Sequence, residues 1–99
     1  RFPHLVIDPA RREVIRDGAP VTLTALEFDL LAHLAAHPGH VLTRRQLLDA
    51  VWGPGWVGDE RVVDVHIRAL RQALGDDAAA PAFIGTSRGV GYRFLEAPC

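Results

Sequence analysis

The stretch Arg61-Val62-Val63-Asp64-Val65-His66-Ile67-Arg68-Ala69-Leu70-Arg71-Gln72-Ala73-Leu74-Gly75 decides the fold. At about 100° per residue, Val63, Ile67, Leu70 and Leu74 fall within about 60° of one another and form an apolar stripe. Arg61, Val65, Arg68 and Gln72 stand on the opposite side, with Asp64, Ala69 and Arg71 at the edges. The spacing predicts a helix over 61–74, started by Asp59 or Glu60 and stopped by Gly75 in a left-handed conformation. One face belongs to a core. The other is mostly polar and cationic but carries an exposed Val65.

Two more helices are expected upstream. Thr24-Ala25-Leu26-Glu27 is a capping box, in which the Thr hydroxyl accepts from the Glu27 N–H and Glu27 reaches back. Leu26, Phe28, Leu30, Leu31, Leu34 and Ala35 follow on a wide apolar face, which suits a helix buried on more than one side, and Pro38-Gly39 stops it. Thr43-Arg44-Arg45-Gln46 is a second capping box. It opens a shorter helix through Leu47, Leu48, Val51 and Trp52, ended by Gly53-Pro54-Gly55. Residues 56–60 read as a loop.

Strands are expected at both ends. Leu5-Val6-Ile7, Glu13-Val14-Ile15 and Val21-Thr22-Leu23 read as an antiparallel meander, with a Pro9 turn and an Asp17-Gly18 hairpin between them. Phe83-Ile84 and Tyr92-Arg93-Phe94 flank a Gly-rich tip over 85–91 and predict a closing hairpin. Residues 75–82 read as a loop, with a low-complexity tract from Asp76 to Ala82. The fold class is therefore α+β: a small N-terminal antiparallel sheet, three helices and a C-terminal β-hairpin. Residues 1–99 are read as one domain, with 1–4 as a linker remnant and 95–99 as a tail.

Composition narrows the function. The chain has 99 residues, 48% hydrophobic and 23% charged, enough for one modest core. No apolar run approaches the ~18 residues needed to span a bilayer, and no signal peptide is apparent. No membrane association and a cytoplasmic location are expected. The start at Arg1 rather than Met reads as a piece of a longer chain. Cys99 has no partner for an internal disulfide. The net charge of −1 argues against a nucleic-acid partner, but its distribution argues for one. Residues 61–75 carry three Arg against Asp64 alone, and residues 83–95 carry Arg88 and Arg93 with no acid.

That arrangement suits a duplex. A helix about 10–12 Å across fits a major groove about 12 Å wide. A helix N-terminus beginning at Thr43, with Arg44 and Arg45 in its first turn, suits a phosphate. Arg61, Arg68 and Arg71 can hold phosphates or guanine edges, Val65 can touch a thymine methyl, and Asp64 can accept from cytosine N4 or pair with Arg61 or Arg68 at helical spacing. Arg88 at the hairpin tip can reach a minor groove.

Four stretches carry a resemblance: Leu23–Leu31 (LTALEFDLL), Leu42–Leu48 (LTRRQLL) with Val51-Trp52-Gly53, Arg61–Arg71 (RVVDVHIRALR) and Thr86–Arg93 (TSRGVGYR). In order and spacing the chain resembles the C-terminal effector domain of OmpR/PhoB-type response regulators over about Leu5 to Phe94. The resemblance implies a winged helix-turn-helix, with a four-stranded N-terminal sheet, three helices and a C-terminal β-hairpin wing. It implies contacts to the sugar-phosphate backbone from Arg44, Trp52, Arg61, His66, Arg68 and Arg71, and base-edge contacts from Val62, Asp64 and Val65. It implies that Thr86 and Tyr92 hold the backbone near the wing while Arg88 enters the minor groove. It further implies head-to-tail dimers on direct repeats, an RNA polymerase contact from loop 53–60 and an upstream receiver domain outside this chain. The same effector type also occurs joined to other modules. Ala69 and Gln72 stand where basic residues are common in the family, and Ser87 where Val is frequent. With pI ≈ 6.6, these departures predict weaker non-specific affinity than a basic member shows.

The rival reading is a protein-docking winged helix, which the near-neutral charge favours. His33 and His37 lie at i, i+4, but no HExxH motif is present and His40 follows a turn, so solvated helix-end histidines are expected and no metal. Gly85, Gly89 and Gly91 suit a tight wing turn, since neither the helix nor the Lys of a phosphate loop follows. No Cys/His or Ser/His/Asp arrangement supports catalysis, and no cofactor is implied.

Overall fold

The computed structural model describes residues 1–98. Strands β1 (Leu5–Asp8), β2 (Glu13–Arg16) and β3 (Ala19–Val21) form an antiparallel sheet in that order. Asp17 and Gly18 both take positive φ, 47° and 82°, as a tight two-residue hairpin requires. Because the turn is that short, Arg16 faces Ala19 and β3 begins at once. The third strand is therefore Ala19–Val21 rather than the expected Val21–Leu23, and Thr22 and Leu23 leave the sheet to reach the cap of the next helix.

The expected fourth N-terminal strand does not form among the described residues. The Phe2 N–H bonds to the Leu5 carbonyl at 2.8 Å, turning the chain so that Phe2 enters the core beside Phe94. Within the expected linker remnant, Phe2 thus contributes to packing, while Arg1, Pro3 and His4 stay exposed. At the other end, the Leu95 N–H bonds to the Phe83 carbonyl at 2.8 Å.

Helix α1 (Ala25–Ala36) starts at the expected capping box, with Thr24 and Glu27 satisfying each other's backbone N–H groups. Phe28, Leu30, Leu31 and Leu34 are buried, on the wide face the sequence predicts. Strand β4 (Leu42–Thr43) leads into α2 (Arg44–Leu47), capped reciprocally by Thr43 and Gln46. The expected single helix through Trp52 instead widens into a π-helical turn over Leu48–Trp52. There the Gly53 N–H bonds five residues back, to the Leu48 carbonyl.

Helix α3 (Arg61–Leu74) buries Val63, Ile67, Leu70 and Leu74, the predicted stripe, and Gly75 ends it in the left-handed region. Glu60 is the geometric cap, while the Asp59 carboxylate accepts from the Arg61 N–H at 2.9 Å. Strands β5 (Ile84–Ser87) and β6 (Gly91–Phe94) form the wing. Strand β4 pairs with β6, so the wing belongs to a three-stranded sheet in the order β4-β6-β5. One cluster of buried side chains, among them Leu30, Leu31, Leu47, Ile67, Leu70 and Phe94, joins the helices to both sheets. Among the described residues no helix is long and apolar enough to cross a membrane.

Candidate nucleic-acid interface

The outer side of α3 is open. Val65 is 64% exposed, and Arg61 and Arg68 are exposed beside it. Val65 lies outside the core cluster, whereas Val62 is partly buried and packs against it. Of the two valines assigned to base edges, Val65 is thus the one that stands outward. Arg88 is exposed in the turn between β5 and β6, held by the bond from the Val90 N–H to the Ser87 carbonyl at 2.9 Å. Among the described residues Arg68 and Arg88 form no ion pair, so each offers a whole charge.

Three site residues are tied to one another inside the domain. For Asp64 the sequence offers a base contact to cytosine N4 or pairing with Arg61 or Arg68 along its own helix. Its Oδ1 instead accepts from Arg44 Nε at 2.8 Å and from the Tyr92 hydroxyl at 2.5 Å. The reason is position: Asp64 lies at the edge of the outer face, turned toward the start of α2 and the wing strand β6. Burial pushes the Asp64 carboxyl up, but the hydrogen bonds from Arg44 and Tyr92 and the charges of Arg44 and Arg61 outweigh it. The group is held below the ordinary carboxylate value. Burial, then the bond to Asp64 and its charge, push the Tyr92 phenol up to about 12, so the hydroxyl remains a donor. The bond to Asp64 likewise raises Arg44 above its ordinary value. Tyr92 is only 6% exposed, so its ring is core and its hydroxyl is already engaged.

Arg71 bridges helix and wing. Its Nη2 donates to the Ile84 carbonyl and to Thr86 Oγ1, both at 2.8 Å, and its guanidinium lies 5.7 Å from the centre of the Tyr92 ring. Arg71 and Thr86, both assigned to the sugar-phosphate backbone, therefore also fix the wing against α3. Trp52 is half-buried and meets His66 edge to face at 5.2 Å. His66 Nδ1 lies 2.9 Å from the Val62 carbonyl; a carbonyl only accepts, so Nδ1 carries a hydrogen there.

Two positioning residues were not found from the sequence. Arg16 of β2 donates to the Leu74 carbonyl, stacks over Phe83 with 5.0 Å to the ring centre, and closes the end of α3. Asp76, within the low-complexity tract, accepts from the N–H groups of Ala82, Phe83 and Ile84 and so sets where β5 begins. Asp76 follows the helix-ending Gly75, a local signal for a cap, but its partners lie six to eight residues on, with no repeat to mark them.

His33 and His37 meet edge to face at 5.0 Å, and burial, with the neighbouring His37, lowers His33 below its ordinary value. Among the described residues, no group of three or more His, Cys, Asp or Glu side chains gathers as a metal site.

Comparison with known proteins gives a consistent picture. The family described as "Transcriptional regulatory protein, C terminal" matches residues 18–94. The chain is 46% identical over 87 residues to the sensory transduction protein RegX3 of Mycolicibacterium smegmatis, covering 88% of this chain and 38% of that protein. It is 48% identical over 92 residues to the transcriptional regulatory protein CseB of Streptomyces avermitilis, covering 93% of this chain and 37% of that one. It therefore spans under two-fifths of the length of these relatives. Among solved structures, the DNA-binding domain of Klebsiella pneumoniae RstA in complex with the RstA box superposes with a TM-score of 0.89. That match is 41% identical and covers 96% of this chain and 94% of the other.

Proposed function

We propose a function from one premise: this chain belongs to the OmpR/PhoB-type family of transcriptional regulatory protein C-terminal domains. It is a winged helix-turn-helix that binds double-stranded DNA sequence-specifically, with α3 in the major groove and the wing at the minor groove. The observation that carries this reading is the open face of α3, where Arg61, Val65 and Arg68 stand exposed beside a wing that Arg71 fixes in place. Exposed cations suit phosphates, and an exposed valine suits a thymine methyl. On the same reading Arg44, Trp52, His66, Arg71, Thr86 and Tyr92 line the backbone contacts, and Val62 and Asp64 border the base edges.

By likeness to the longer relatives, residues 1–99 act as the effector domain of a cytoplasmic bacterial two-component regulator, with a receiver domain upstream. Head-to-tail dimers on direct repeats and an RNA polymerase contact from loop 53–60 belong to the same proposal. Val57, 91% exposed in that loop, supports the latter. Nothing in the site supports catalysis, and no enzymatic role is proposed.

Salt tests the reading. If about six phosphates are neutralised per domain, log affinity for duplex DNA falls with a slope near −5 against log salt. A flat dependence overturns duplex binding and favours a protein-docking surface, to which the net charge of −1 would be suited. Arg68→Ala is expected to weaken all sequences alike and flatten the slope by about one unit. A lost preference at one base pair instead would show that Arg68 reads bases. Arg88→Ala is expected to reduce preference for narrow, A·T-rich flanks in a random-pool selection. An unchanged flank preference removes Arg88 from the interface.

A further inference from the structure

The carboxylate of Asp64 sits on a surface that is meant to meet a polyanion, which calls for a physical reason. Its side chain is 34% exposed, and that of Arg44 31%. A carboxylate at this position repels phosphate. Its Oδ1 already accepts two hydrogen bonds, one from α2 and one from β6, so at most Oδ2 is left for a base and the group is tied to the protein first.

We infer that Asp64 is a positioning and selectivity residue: it holds Arg44 and Tyr92 in one geometry and lowers the net charge that Arg44 brings to the duplex-facing surface. This rests on the duplex-binding reading above. An Arg–carboxylate pair in contact is a dipole, whose field falls off faster than that of a free charge and is further screened over about 8–10 Å of physiological solution. Non-specific binding is almost wholly the sum of free cation–phosphate terms, so cancelling one cation acts on it in full. Specific binding depends in addition on the placement of α3 and the wing, which the same carboxylate secures by joining α2, α3 and β6. Selectivity therefore rises while non-specific affinity falls.

The test compares the wild-type chain with Asp64→Asn, Asp64→Ser, Arg44→Gln and the double variant Asp64→Asn/Arg44→Gln. The probe is sheared duplex DNA of mixed sequence, titrated across salt. Asn keeps an acceptor for both donors while removing the charge, and Ser removes the charge with less volume, so one folded variant of the two suffices. Either is expected to tighten mixed-sequence binding about eightfold near 0.1 M salt and to steepen the salt slope by about one unit. Arg44→Gln is expected to weaken and flatten it, and the double variant to fall between the two singles. A random-pool selection with the same charge-removing variant is expected to return a less biased set of sequences at every position. An unchanged slope in the folded variant overturns the inference, as does a preference lost at a single C·G pair. If the wild-type chain itself shows no salt-dependent duplex binding, the functional reading fails, and this inference with it.

Discussion

Gly91→Ala is expected to lower Tm by roughly 12–24 °C, the melting shift of about 3 kcal/mol or more in a domain of this size. The cost does not come from backbone dihedrals. A Cβ on Gly91 would overlap the Leu42 carbonyl oxygen, and would lie 2.8 Å from the Leu42 carbonyl carbon and 2.9 Å from Thr43 Cα. These are backbone atoms, so no rotamer change relieves them. Gly91 faces Thr43 across the β4–β6 ladder, and Thr43 is the cap of α2. The added methyl group must push β4 away, which loosens the cap and shifts Arg44, the next residue, from Asp64. Duplex affinity should fall with stability. Gly89→Ala separates this effect from strain alone. Gly89 has a positive φ of 77° but nothing within 4 Å of a built Cβ, so its replacement should cost only about 1–2 kcal/mol. Thermal melts of both variants decide the matter: if Gly91→Ala melts no lower than Gly89→Ala, β4 does not pass this close to β6.

What the sequence makes legible here is what repeats or acts locally. The α3 stripe shows because four side chains recur at helical spacing. The Thr24 and Thr43 boxes show because each closes over three residues. The hairpin at Asp17-Gly18 shows because a two-residue turn demands positive φ from both. The contacts that give the interface its geometry have no such signature. Asp64 is joined to Arg44 across 20 residues and to Tyr92 across 28, and Arg16 to Leu74 across 58. A helical wheel places Asp64 at the edge of a face and can offer it only helical neighbours. Strand β4 is two residues long, too short to alternate, and its partner lies beyond the whole of α3. Gly91 reads correctly as a wing glycine but for the wrong reason, since close approach of another strand fixes it rather than turning. The family resemblance carries the fold and supplies the proposed list of interface residues. It does not tell which cations are free and which are already held.

Asp76→Ala is expected to cost about 2–6 kcal/mol and to lower Tm by at least about 8 °C, although residue 76 lies in a stretch that looks like filler. Phe83 and Ile84 are 1% and 0% exposed, so their N–H groups have no ready access to water. Both donate to the Asp76 carboxylate, Ile84 at 2.9 Å and Phe83 at 3.3 Å, and Ala82 adds a third bond at 2.7 Å. Leaving a buried donor unsatisfied costs about 1–3 kcal/mol, while exposed Ala82 can turn to solvent, so two donors set the range. The Asp76 N–H also closes the end of α3 on the Arg71 carbonyl at 2.8 Å. One residue therefore fixes both the last turn of α3 and the first residue of β5. Arg71 spans the same two elements, so loosening Asp76 should also free the wing and reduce the flank preference attributed to Arg88. Asp76→Asn keeps one acceptor oxygen and should lose about half as much stability as Asp76→Ala. The order wild type, Asn, Ala in thermal melts is the expected result. Equal losses for Asn and Ala would show that the charge matters rather than the number of acceptors. A melt of Asp76→Ala unchanged from wild type would show that β5 finds its place without this carboxylate.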